Sequence, residues 1–90
     1  MKGLWVAYLI ISEATAAKIT AKHSITADDV RAAIVCRAGL TYRWHVHPER
    51  GERAIVSVRI RGRGALVVLY KAQDPLGDCY NVGSAYFVDT

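Results

Sequence analysis

Alternation of polar and apolar residues from Thr41 onward is the feature that most restricts how this chain can fold. Residues 41–47 and 54–61 alternate with a period of two, and residues 65–71 are almost continuously apolar. The first pattern is typical of strands with one buried face, and the second of a central strand. A further strand is expected over residues 79–88, with Gly83 marking a bulge. Because the connections are short, the pattern predicts an antiparallel meander of four strands.

Two short helices are predicted before this meander. Ser12 and Thr26 are suitable N-caps, each followed by acidic residues in the first helical turn. We expect the first helix to end near His23 and the second, with its Val30 side chain buried, to end at Gly39.

The apolar, β-branched stretch of residues 4–11 predicts one more strand at the start of the chain. Ninety residues suffice for one small domain, which we take to be residues 1–90. The predicted fold class is therefore α+β, with two layers. A helical hairpin packs on a mainly antiparallel sheet in the order β-α-α-β-β-β-β.

Positive charge is concentrated in the middle of the chain. The sequence has 12 Lys and Arg against 8 Asp and Glu, and residues 43–71 hold seven basic and two acidic residues. Most of the seven are Arg, whose planar guanidinium matches the geometry of phosphate. This distribution indicates a polyanionic partner.

The predicted alternation also assigns the basic residues to a face of the sheet. Arg43, His45 and His47 lie on one side of their strand, and Ser57, Arg59 and Arg61 on one side of the next. The apolar residues between them, Trp44 and Val46 included, should face the helices. We expect the polar residues to share an open face that binds phosphate. The alternative is a solvated face whose charges serve solubility.

Other motifs leave alternatives open. Cys36 and Cys79 are predicted to be buried, reduced thiols, with a disulfide between them as the alternative. His45 and His47 have the spacing of two metal ligands on a strand, but no third ligand is evident, so no metal or other cofactor is predicted. The N-terminus resembles a signal peptide only loosely, and no apolar run is long enough to span a bilayer. A cytoplasmic location without membrane association is therefore favoured.

Two segments resemble the BrnT-type toxins, which belong to the broader RelE-like group. Residues 22–30, Lys-His-Ser-Ile-Thr-Ala-Asp-Asp-Val, resemble the family's "KHGIS-x-EE-V/A" helical segment. Residues 64–70 and 80–86 resemble its final hairpin, except that Tyr86 stands where the family usually has Arg. The resemblance implies a RelE-like fold. It also implies a bacterial, metal-independent endoribonuclease that a cognate antitoxin neutralises, and it leaves open an oligomer formed with that antitoxin.

Such a reaction needs a proton donor, a proton acceptor and cations near the developing negative charge. On this basis His45 is the expected acid or base, and Tyr86 a second proton-transfer group. Arg59 and Arg61 would stabilise the reacting phosphate, while Arg43, Arg63 and Lys71 would bind neighbouring phosphates of the RNA.

Two other functions are compatible with the residues. One is a non-catalytic domain of the same fold that binds nucleic acid or an acidic protein through its Arg-rich face. The other is a small secreted protein stabilised by a disulfide between Cys36 and Cys79.

Overall fold

The computed structural model describes residues 3–49, 51–72 and 77–88. These residues form two helices and one mixed five-stranded sheet, which confirms the predicted α+β class. In chain order the elements are β1 (Tyr8–Ile10), α1 (Glu13–His23), α2 (Ala27–Ile34), β2 (Thr41–His47), β3 (Gly51–Ile60), β4 (Arg63–Lys71) and β5 (Cys79–Phe87).

The strands lie side by side in the order β1-β5-β4-β3-β2. β1 pairs with β5 in parallel, and the other neighbours are antiparallel, so β2 to β5 form the expected meander. β1 covers only residues 8–10, because the apolar stretch predicted as a longer strand pairs with β5 along three residues. The register of β4 and β5 shifts opposite Gly83, which confirms the predicted bulge.

Local hydrogen bonds explain the helix boundaries. The Ser12 hydroxyl accepts from the Thr15 backbone N–H and begins α1, while Ser24, with φ of 57°, ends it. α2 begins with a capping box in which Thr26 and Asp29 each accept a hydrogen bond from the other's backbone N–H. This arrangement satisfies two N–H groups that the first helical turn leaves without partners.

The second helix is shorter than predicted. It ends at Ile34 rather than at Gly39, because Val35 is extended and Cys36 has a left-handed φ of 55°. The Cys36 backbone N–H donates to Val6 instead, at 2.7 Å, and so ties this turn to the chain before β1. Cys36 is exposed and Cys79 half-buried, so the prediction that both are buried is wrong; both are free thiols.

The core lies between the helices and one face of the sheet. Ile19, Ile25, Val30 and Ile34 of the helical hairpin are buried against the sheet. Their partners from the strands are Leu9, Ala54, Val56, Ile60, Ala65, Val67, Leu69, Tyr80, Val82 and Ala85.

The helices leave the end of β2 uncovered. Trp44 and Val46 lie on the helix side of the sheet as predicted, but their side chains are 44% and 69% exposed. Beside them, the Lys71 ammonium lies 5.1 Å from the Trp44 ring centroid and 3.7 Å from the Glu52 carboxylate. No helix in the described part of the chain has the length and apolar character needed to cross a bilayer.

Asp29 should make folding stability sensitive to acid. The hydrogen bond from the Thr26 backbone N–H is the largest cause that holds the pKa of Asp29 below its ordinary value, and the Arg61 guanidinium lowers it further. Because the folded protein disfavours protonation, this contribution to stability is complete above the unfolded-state pKa. It is lost as the pH falls through the folded-state pKa.

We therefore expect Asp29→Asn to lower the free energy of unfolding by about 1 kcal/mol at neutral pH. The difference from wild type should disappear at an acidic pH below the folded-state pKa of Asp29, where the wild-type carboxylate is also protonated. Urea unfolding at both pH values measures this. Asp28→Asn removes the same charge from the same helical turn and should lower the free energy of unfolding by a smaller amount. An Asp29→Asn deficit of equal size at both pH values would contradict the prediction.

Candidate functional site

The face of the sheet that does not form the core, called the open face below, carries the candidate site, and α1 borders this face beside β5. Strand pairing assigns to it Tyr8 and Ile10 of β1, Thr41, Arg43, His45 and His47 of β2, Arg53, Ile55, Ser57 and Arg59 of β3, Gly64, Leu66, Val68 and Tyr70 of β4, and Asn81, Ser84 and Tyr86 of β5. None of these positions carries an acidic side chain. The open face therefore has a net positive charge.

Arg53 is the centre of a hydrogen-bonded group on this face. The residue lies opposite His45 on β2 and opposite Tyr70 on β4. Its Nε donates to His45 Nδ1 at 3.2 Å, and its Nη1 donates to the Tyr70 hydroxyl at 3.4 Å. We call His45, Arg53 and Tyr70 the basic cluster.

The hydrogen bond from Arg53 determines how His45 is presented. Because Nδ1 accepts a hydrogen bond, it carries no proton, and the neutral imidazole has its proton on Nε2. His45 is exposed, so the imidazole edge is available to a ligand, while Arg53 and Tyr70 are half-buried and held by their neighbours. The cluster combines a titratable group, a phenol and a cation within one hydrogen-bonded chain.

A shallow depression of about 240 Å³ lies next to the basic cluster. Arg43 stands at its rim, and the open-face residues Ile55 and Leu66 supply apolar lining. Arg43 is opposite Ile55 and so is a diagonal neighbour of Arg53, a relation that separates two Cα atoms by roughly 7–8 Å. The depression therefore offers an apolar surface beside the Arg43 side chain.

On the other side of the cluster, the Tyr70 ring lies directly over Gly83. A Cβ atom at Gly83 would fall 2.9 Å from Tyr70 Cδ2 and closer still to Cε2. A second depression, of about 440 Å³, opens there and is lined by Tyr70, Asn81, Gly83 and Thr15 of α1. The bulge at Gly83 thus makes room for the ring that the Arg53 hydrogen bond orients.

The residues predicted from the sequence do not form one site. His45 and Arg43 lie on the open face near each other, as expected. Arg59 also has an open-face position, but it is six residues along β3 from Arg53, or roughly 20 Å. The predicted proximity of His45 to Arg59 and Arg61 is therefore wrong.

Arg61 is not on the open face. The structure ends β3 at Ile60, and Arg61 and Gly62, both with positive φ, form a two-residue turn. The alternation breaks at this turn, and the Arg61 guanidinium pairs with Asp29 of α2 on the helix side. The strand thus ends one residue earlier than the alternation of residues 54–61 predicts.

The other predicted residues are also dispersed. Arg63 lies opposite Ile60, on the helix side, with its guanidinium 3.9 Å from the Phe87 ring centroid. Lys71 is on the same side but at the other end of the sheet, beside Trp44. Tyr86 is on the open face opposite Leu66, and its ring centroid lies 6.2 Å from that of His23.

Arg53 and Tyr70 are the members of the basic cluster that the sequence does not predict as site residues. The alternation predicts a strand that begins at Ala54, whereas β3 begins at Gly51, so the predicted open face does not include Arg53. Extending the alternation one residue toward the N-terminus places Arg53 on the same face as Ser57. The hydrogen bond to Tyr70, by contrast, depends on the pairing of β3 with β4 and has no local signal.

No metal site is evident. In residues 3–49, 51–72 and 77–88, no three His, Cys, Asp or Glu side chains come together as metal ligands. No family model, curated protein or solved structure matches the chain at a significance that would indicate common ancestry.

The contact between Gly83 and Tyr70 predicts a specific sensitivity. Gly83→Ala should lower the free energy of unfolding by about 1–3 kcal/mol and displace the Tyr70 ring, because the added methyl group overlaps it. Gly64→Ala is the matched control on β4, since its Cβ would meet the Val88 carbonyl oxygen at an ordinary 3.6 Å. Urea unfolding and the NMR signals of the Tyr70 ring measure both effects. Equal stability of the two variants would contradict the close contact.

Proposed function

We propose that this chain is a RelE/BrnT-like toxin, a metal-independent endoribonuclease that binds RNA on the open face. The observation that carries the proposal is the Arg53 guanidinium, hydrogen-bonded to both His45 and Tyr70 on a face without acidic side chains. The element order and the resemblance of residues 22–30 and 64–86 to this family add support.

The proposed reaction is attack by an RNA 2′-hydroxyl on the adjacent phosphorus. The new bond joins the 2′-oxygen to phosphorus, and the bond from phosphorus to the 5′-oxygen breaks. The products are a 2′,3′-cyclic phosphate and a 5′-hydroxyl end. Arg53 supplies positive charge where the negative charge of the transition state develops.

Binding of a phosphate to Arg53 prepares His45 for its role. When a phosphate oxygen accepts the hydrogen bond from Arg53 Nε in place of His45, the Nδ1 lone pair of His45 becomes available. It can then accept the 2′-hydroxyl proton. Tyr70, on the other side of Arg53, is positioned to donate a proton to the leaving 5′-oxygen. Arg43 and the apolar depression beside it would hold the adjoining nucleotide.

Site-directed variants test this assignment. We expect His45→Ala and Arg53→Gln each to reduce the rate of single-stranded RNA cleavage by about 10²–10³-fold, while EDTA leaves wild-type cleavage unchanged. Lys18→Gln, which removes one positive charge at an exposed position of α1, is the control. Melting temperatures show whether each variant is folded. Wild-type rates for both folded variants would contradict the assignment.

The same assay distinguishes the second candidate function, a non-catalytic domain that binds RNA through the open face. The positive charge of that face favours both functions, because its Arg side chains can neutralise RNA phosphates. Such binding releases counterions from the RNA, so its affinity should fall as the salt concentration rises. Salt-dependent binding that both open-face variants weaken, without cleavage by the wild type, would favour the binding domain.

Toxicity in bacteria is a separate prediction. Induced expression should slow growth, and the double variant His45→Ala/Arg53→Gln should not. Where the adjacent reading frame encodes a small protein, its co-expression should restore growth as an antitoxin. The exposed Trp44 and Val46 offer apolar surface for such a partner. Growth curves with soluble expression confirmed by gel measure the outcome. Normal growth at high soluble expression of the wild type would argue against a toxin.

A further inference from the structure

A second group of Arg side chains surrounds a depression between α2 and the end of β3. The depression has a volume of about 320 Å³ and lies beyond the last pair of β2 with β3, Thr41 with Ser57. Its lining consists of Asp29, Ala32, Ala33, Arg37, Arg59, Ile60 and Arg61. Three guanidinium groups therefore line a depression that contains one carboxylate.

Backbone carbonyl groups hold all three guanidinium groups in place. Arg37 Nε donates to the Ala32 carbonyl at 3.0 Å, and Arg59 Nη1 donates to the Gly62 carbonyl at 2.9 Å. Arg61 donates to the Ser24 carbonyl and to the Asp29 carboxylate. Because these contacts order the side chains before any ligand arrives, binding would cost little additional side-chain entropy.

Two of these side chains keep unused hydrogen-bonding capacity. Each guanidinium has five N–H donors. Arg37 uses its Nε and Arg59 its Nη1, and within the described residues no other group accepts from either side chain. Asp29 offsets only Arg61, so the charge of the other two is uncompensated by the groups that line the depression.

We propose that this depression, the α2–β3 pocket, binds a phosphomonoester dianion. A dianion neutralises both uncompensated charges, and its tetrahedral oxygens can accept paired N–H groups from two guanidinium forks. The small side chains of Ala32 and Ala33 leave room above the helix for the phosphate. The phosphate would belong either to a small molecule or to the terminus of an RNA strand.

The pocket is independent of the basic cluster. Arg59 is six residues along β3 from Arg53, or roughly 20 Å, and the pocket is lined by α2 rather than by β2 or β4. The proposal that the α2–β3 pocket binds phosphate therefore does not depend on whether the open face cleaves RNA.

NMR titration of the wild type with inorganic phosphate locates the site. We expect the backbone amides of Ala32, Ala33 and Ile60 to shift, with saturation, while those of His45 and Arg53 shift less. No saturable shift around the pocket, or larger shifts at the basic cluster, would overturn the proposal.

Matched double variants test the contribution of the pocket. Arg37→Gln/Arg59→Gln should weaken phosphate binding at least about tenfold, because it removes both uncompensated charges and their N–H donors. Lys18→Gln/Lys22→Gln removes the same charge from α1 and should leave the affinity within about twofold of wild type. Equal losses in both double variants would show that the binding is a general effect of net charge and would overturn the proposal. Circular dichroism confirms that each variant is folded, and the wild-type titration locates the site independently of them.

Two further titrations identify the source of the phosphate. The pocket would be assigned to an RNA terminus by two results together. A short 5′-phosphorylated RNA would bind much more tightly than AMP, and the 5′-hydroxyl form of the same RNA would not shift the pocket amides. AMP affinity equal to that of the phosphorylated RNA would assign it to a small phosphomonoester. Either result, with the shifts at Ala32 and Ala33, supports the proposal.

Discussion

The two-residue turn at Arg61 and Gly62 determines where every basic side chain of β3 and β4 lies. Both residues have positive φ, the geometry that joins adjacent strands with a twist that matches the sheet. The turn pairs Ile60 with Arg63, and this register then places Arg53 opposite Tyr70 at the far end of the same strands. A change of one residue would move Arg53 to the buried face.

The pairing of β3 with β2 completes the arrangement by bringing His45 to the other side of Arg53. Three strands thus contribute one residue each to the basic cluster, and no two of its members are neighbours in sequence. The bulge at Gly83 on a fourth strand allows the Tyr70 ring to approach the β5 backbone closely. The site therefore depends on the whole meander rather than on a local motif.

Local signals predicted the elements well and the site only in part. The caps at Ser12 and Thr26, the alternation of residues 41–47 and the bulge at Gly83 are short-range features, and the structure confirms them. The prediction that Arg61 lies on the open face is wrong because its left-handed φ ends the alternation. An Arg side chain gives no sequence signal for a left-handed conformation. Exposure of Trp44 was missed because it depends on how far the helices extend over β2.

The positions of the Arg residues also separate binding from stability. Arg53, Arg59 and Arg37 lie outside the core, so their replacement should change stability little, as is usual for surface positions. Arg61 is different because its guanidinium joins Asp29 of α2, and the end of α1 at Ser24, to the turn after β3. Replacing Arg61 would remove one positive charge from the α2–β3 pocket. It would also remove the hydrogen bonds that connect the helical hairpin to the turn after β3. For this reason Arg37 and Arg59, rather than Arg61, are the residues through which the function of the pocket can be separated from the fold.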